Sequence, residues 1–257
     1  MNHLLRIRAG QMRVFEKAAV GNFVQTAVRH LQENAPVHCG FLGDDGTREA
    51  VEYGLRRAEK YDLTTERSLL MYLDLMFMLC RDFDRDPLLP WAVEILRDQG
   101  ISSELARMNR LYQKASEYLQ RVVGPKNEYI DAALRAIRQE TPRWPHGGDF
   151  EAQMVRWFER IYPEKTAYIG DQGIRALLQR GAESAKAHGI GSNRGLMIYT
   201  ALMFLLGSHF SEDPLFRWAR DILDDTQIPD EPQKVDRLYA ASMNCLEQWT
   251  EAMGSPL

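Results

Sequence analysis

The sequence predicts an all-α protein built as a tandem duplication of a roughly five-helix unit. Three observations predict it. Sliding the chain against itself by 127 residues aligns the halves without a gap, and over 43–96 against 170–223, 21 of 54 pairs are identical. Apolar residues recur at helical spacing through both halves. No run of residues alternates polar and apolar as a half-buried strand would. The register extends outward: Phe23, Val28 and Pro36 match Phe150, Val155 and Pro163, while Arg110, Leu111 and Tyr112 match Arg237, Leu238 and Tyr239. The chain divides into a first helical unit (1–122), a bridging helix and loop (123–149) and a second unit (150–257).

Within a unit, the first helix carries Met12, Phe15, Ala19, Phe23, Ala27 and Leu31 on one face, and Pro36 marks its end. The second follows a turn containing Asp44 or Asp171, and its apolar stripe in the second unit is Ile174, Leu177, Leu178, Gly181 and Ala185. Gly54 and Gly181 sit mid-helix at matching positions, where glycine costs about 1 kcal/mol relative to alanine, so both predict close helix–helix approach. The third helix starts after Thr65 or Ser192, hydroxyl residues suited to an N-cap. It is apolar nearly all round and should be the buried centre of its unit. The fourth is predicted to start at Asp86-Pro87 and Asp213-Pro214, an N-cap followed by proline at the first helical position. It turns Trp91, Ile95 and Leu96, or Trp218, Ile222 and Leu223, inward. The fifth carries Leu105, Met108, Leu111, Tyr112, Ala115 and Leu119. The bridge has a helical stretch, Lys126–Glu140, and then the turn-rich 141–148.

Composition narrows the function classes. A net charge of −4 and a pI near 5.9 argue against an electrostatic nucleic-acid binder. Cys39, Cys80 and Cys245 are odd in number and widely spaced, which argues against a disulfide framework or zinc knuckle. The most apolar runs, Leu69–Cys80 and Leu196–Gly207, are too short to span a bilayer. The N-terminus has no apolar stretch of the kind a signal peptide needs. The expectation is a cytoplasmic protein without membrane insertion.

No motif points to catalysis, a cofactor or a metal. The acidic run Asp82, Asp84 and Asp86 has proline where a calcium loop needs glycine, and the six histidines lack zinc-ligand spacing. It reads as a solvated turn. GIGSNRG (189–195) follows a helix and lacks the P-loop lysine. Arg67 and Arg194 stand in the first turn of the most apolar helix, where a positive charge opposes the helix dipole. They are expected to pair with Asp86 and Asp213 as duplicated structural contacts. Arg143 and Trp144 in the boundary loop, with Asp82, Asp84 and His209, are the candidate partner-contact residues.

The pattern Arg8, Gln11, Met12, Phe15, then His30, Leu31 and Pro36, then GLRRAEKYDLTTER (54–67) and FDRDPLLPWA (83–92), resembles a group of bacterial helical proteins encoded beside type VI secretion spike and effector genes. The resemblance covers mainly the first unit and brings no catalytic residues. It implies an accessory factor whose partner is a protein: a secretion effector, a spike component or a toxin. The leading expectation is a non-enzymatic adaptor or chaperone, with a cytosolic immunity protein as the alternative. A further alternative is an enzyme with a polar site between the units, built from Asp74, Asp82 and His209. Residues shared by the copies should serve folding, and residues that differ should serve recognition.

Overall fold

A computed structural model of the chain describes residues 9–139 and 149–252, with side chains from Val20 onward, and every regular element among them is helical. The first half holds α1 (Ala9–Asn34), α2 (Pro36–Ala58), α3 (Glu66–Met78), α4 (Pro90–Leu96) and α5 (Glu104–Val122). The bridge is α6 (Glu128–Gln139). The second half holds α7 (Phe150–Ile161), α8 (Pro163–Ala187), α9 (Asn193–Leu206), α10 (Arg217–Leu223) and α11 (Glu231–Ala252). No helix among the described residues is long and apolar enough to cross a membrane.

The starts of α2, α3, α4 and α5 recur 127 residues later in α8, α9, α10 and α11. Local chemistry recurs with them. The Thr65 hydroxyl caps α3 by accepting from the Ser68 N–H, and the Ser192 hydroxyl caps α9 by accepting from Gly195. Glu104, at the start of α5, accepts the main-chain N–H groups of Thr64 and Thr65, and Glu231 accepts those of Gly191 and Ser192. Each carboxylate therefore clasps the first turn of one helix to the first turn of another. Arg107 donates to the carbonyls of Leu96 and Tyr61, and Lys234 to those of Leu223 and His188.

α3 and α9 are the buried centres, as their composition predicts. Tyr72, Leu73, Leu75, Tyr199, Met203 and Phe204 are almost wholly enclosed. The mid-helix glycines do bring helices together. A Cβ on Gly54 would collide with Leu73 and Met76 of α3, and one on Gly181 would stand 2.5 Å from the Thr200 hydroxyl of α9.

Two helix boundaries differ from the sequence reading. The expected turn before the second helix shrinks to a kink. Pro36 and Pro163 open α2 and α8 directly, and the axis breaks at Gly43 (φ 68°) and Gly170 (φ 72°). Only glycine adopts that left-handed conformation without strain. Asp86-Pro87 also opens a turn rather than a helix, and α4 starts three residues later at Pro90. In the second half a short 3-10 turn, Pro214–Phe216, precedes α10. Both aspartates still cap locally, accepting from Leu88 and Leu215 two residues on.

The halves meet along the segments linking α3 to α4 and α9 to α10. The Asp86 carboxylate accepts from the Ser208 main-chain N–H (2.9 Å) and hydroxyl (2.7 Å). Asp213, at the matching position, lies beside the main-chain N–H of Arg81. Position 80 touches its own counterpart: a Cβ on Gly207 would stand 2.9 Å from the Cys80 Cβ. Arg85 likewise faces its counterpart Glu212 at 3.5 Å. Contacts between matching positions, and reciprocal contacts between positions 81 and 86, are the pattern of an isologous seam.

Candidate functional site

The acidic run is not a solvated turn. Asp82, Asp84 and Asp86 are 1%, 0% and 3% exposed, which removes the first two from any partner-facing surface. Asp82 accepts from Tyr53 and from the Arg85 Nε (2.9 Å). Burial pushes its carboxyl up, but these hydrogen bonds outweigh that and hold it below the usual value. Asp84 takes Arg57 and the Tyr61 hydroxyl. The three carboxylates fix α2 to the α3–α4 segment and the two halves to each other. His209 sits half-buried beside Asp82, its pKa lowered by burial and by Arg85.

The expected Arg67–Asp86 and Arg194–Asp213 pairs do not form. Asp86 is turned to Ser208 across the seam, and Arg67 is exposed. Arg194 reaches Asp236 on α11 at 2.5 Å instead. The first helical turn lies at the far end of α3 or α9 from the aspartate, so an acid on the neighbouring long helix is nearer. Arg143 and Trp144 lie outside the described residues.

A cleft of about 420 Å³ opens between α1, α3 and α5, and the sequence reading did not assemble it. Leu31, Ala35, Phe77 and Met78 form its apolar wall, with His38, Asn34, Asp74 and Tyr112 around it. Nε2 of His30 lies 2.7 Å from Oδ1 of Asp74. Nδ1 of the same ring lies 3.3 Å from the Asn34 amide nitrogen, which also donates to the His30 carbonyl. Because an amide nitrogen only donates, Nδ1 accepts and the ring proton sits on Nε2, toward Asp74. Both ring nitrogens are thereby committed. His38 stacks edge-on against Trp249, and burial lowers its pKa, which keeps it neutral at pH 7. No serine, threonine or cysteine is among the described residues lining the cleft.

The corresponding cleft between α7, α9 and α11 has only about 70 Å³. Its positions have changed character. His30, Asn34, His38 and Asp74 give way to Trp157, Ile161, Lys165 and Ala201. Trp157 and Ile137 from α6 line what remains, with Met197, Ile198 and Leu202. The single signal in the sequence is the set of polar residues at 30, 34 and 74, which face tryptophan, isoleucine and alanine in the second half, with His38 facing a lysine.

Between the halves lies a third cavity, of about 180 Å³, walled by Met76, Phe77, Ile130, Leu134, Leu246 and Trp249 with His38 and Asp213 at its edge. Burial raises the Asp213 carboxyl to about 6. Close by, Lys165 is 8% exposed with its ammonium 5.2 Å from the centre of the Phe204 ring. Burial lowers its pKa to about 8, against the charge of Asp86. Burial also raises the Cys80 thiol well above its usual value, leaving it un-ionised and unsuited to nucleophilic work. No group of three or more histidine, cysteine or acidic residues is placed to hold a metal among the described residues.

Compared with protein-family models, with curated proteins and with solved structures, the chain gives no match.

Proposed function

We propose that the protein is a non-enzymatic binding factor made by duplication of one helical unit, acting as an adaptor or chaperone for a type VI secretion effector. The observation that carries the binding role is the unequal fate of the two matching clefts. One is large, carries Asn34, His38 and Asp74 beside its apolar wall and is rimmed by an exposed tyrosine, while the other is small and apolar. The folding contacts recur in both halves, so the difference between the clefts follows no shared folding requirement. Against an enzyme, the His30 ring has both nitrogens engaged, and the cavity between the halves is walled mainly by apolar side chains. The secretion setting rests on the motifs of the first half. Affinity capture with the full chain as bait, against the products of the genes beside its own, tests the reading. Stoichiometric capture of an effector or spike component is the expected result. Capture of none of them would sink it.

A further inference from the structure

We propose that the cleft between α1, α3 and α5 is a receptor for a cationic side chain, the arginine or lysine of a protein partner, with Asp74 as its counter-charge. The proposal rests on the binding role proposed above and names the chemistry of that site.

Three observations carry it. The first is charge. Asp74 is the one ionisable acid among the described lining residues, and it uses Oδ1 on His30 while Oδ2 has no hydrogen-bond or ion-pair partner among the described residues. With Asn34 at Nδ1, the His30 ring meets Asp74 through Nε2 alone, and it touches only one of the two carboxylate oxygens. Its side chain is 26% exposed, open enough to be reached and shielded enough to bind more strongly than a surface acid. The second is shape. About 420 Å³ holds a side chain the length of arginine, and the Leu31 and Met78 walls suit its methylene stem. The Phe77 and Tyr112 rings line the same cleft, and aromatic faces attract a cation. Tyr112 is 38% exposed at the rim. The third is the counterpart. In the second half, alanine replaces the acid and tryptophan the histidine, and the cleft shrinks. His38 stays neutral at pH 7 and does not repel an incoming cation, whereas a lysine, Lys165, holds that position in the closed half.

The test uses the full chain and n-butylguanidinium, a free mimic of the arginine side chain, followed by NMR of the histidine rings. Saturable binding that shifts the His30 and His38 signals is expected, weakened about tenfold or more in Asp74→Asn, since a charge-assisted contact is worth that much. The neutral analogue n-butylurea should bind no better than it does to Asp74→Asn. An alanine-based helical peptide with one arginine should compete for the same site. Equal binding of the guanidinium by wild type and Asp74→Asn, or no saturation, overturns the proposal. So does a peptide that leaves the probe in place. Thermal melting of Asp74→Asn, with His30→Gln as a second variant that keeps the carboxylate, guards against misreading a folding defect. Capture of a neighbouring gene product equally by wild type and Asp74→Asn would defeat the cation site and leave the binding role standing. Probe binding that depends on Asp74 without any captured neighbour would do the reverse.

Discussion

Lys165 is a charge held where the fold gains least from it. Its pKa falls from 10.5 toward about 8 because burial disfavours the ammonium more than Asp86 favours it. A lysine depressed in the folded state stabilises the fold above its unfolded pKa, and that contribution is lost as pH falls through about 8. At pH 7 the residue is therefore a cost. Lys165→Met keeps the stem over Phe204 and removes the charge, so we expect about 1–3 kcal/mol of added stability at pH 7. The gain should vanish as pH approaches 10.5, and thermal unfolding across pH 7–10.5 measures it. Asp86 has the opposite character. Asp86→Ala strips the acceptor from the Ser208 N–H and hydroxyl and from Leu88, and should cost about 2–4 kcal/mol in urea unfolding. Arg67→Ala, at an exposed position, should stay within about 0.5 kcal/mol of wild type.

At the scale of the helices, the matched glycines and the matched glutamates set the packing. Gly54→Ala would gain about 1 kcal/mol of helix propensity but drive a methyl into Leu73 and Met76, so overpacking should win and the melting temperature fall. Gly40→Ala, on the first segment of α2 with nothing within 4 Å of the added carbon, should raise it. Glu104→Ala and Glu231→Ala each free two main-chain N–H groups at the start of a buried helix. Each should cost about 1–2 kcal/mol by chemical denaturation. Most of this scale was legible in the sequence. Thr65, Ser192, Gly54 and Gly181 announce their roles through capping chemistry and through recurrence. Glu104 and Glu231 did not, because their partners are main-chain groups 39 and 40 residues away and leave no side-chain pattern. The Asp86-Pro87 start failed for a related reason. Its cap is real, but the residues after it form a turn before Pro90 restarts the helix.

For the whole molecule, the all-α class follows from periodicity, while the site does not. His30 and Asp74 are 44 residues apart, and only the packing of α1 on α3 joins them. What the sequence did contain was a contrast: polar residues at 30, 34, 38 and 74 opposite tryptophan, isoleucine, lysine and alanine. The acidic run misled because its alternating carboxylates look hydrated, whereas Tyr53, Arg57, Tyr61 and Ser208 approach from other elements to enclose them. A prediction belongs to this scale too. Trp157→Ala should enlarge the second cleft and lower stability by about 1–3 kcal/mol, the side chain being only partly buried, without creating a guanidinium site, since no acid stands at Ala201. Calorimetry and the same NMR titration would show both effects.

The contact between Cys80 and Gly207 has a consequence for how alike the two halves can be. Where a surface meets its own image, a single sequence must supply both sides, and a side chain there confronts itself. Two cysteines at this point would place their Cβ atoms 2.9 Å apart, so the seam could not close in this way with cysteine on each side. Within one polypeptide the two sides are free to differ. One side can then drop its side chain to let the other in, and the left-handed turn at Gly207 (φ 104°) suits that choice. The same freedom extends to the clefts, where one half keeps about 420 Å³ and the other only about 70 Å³.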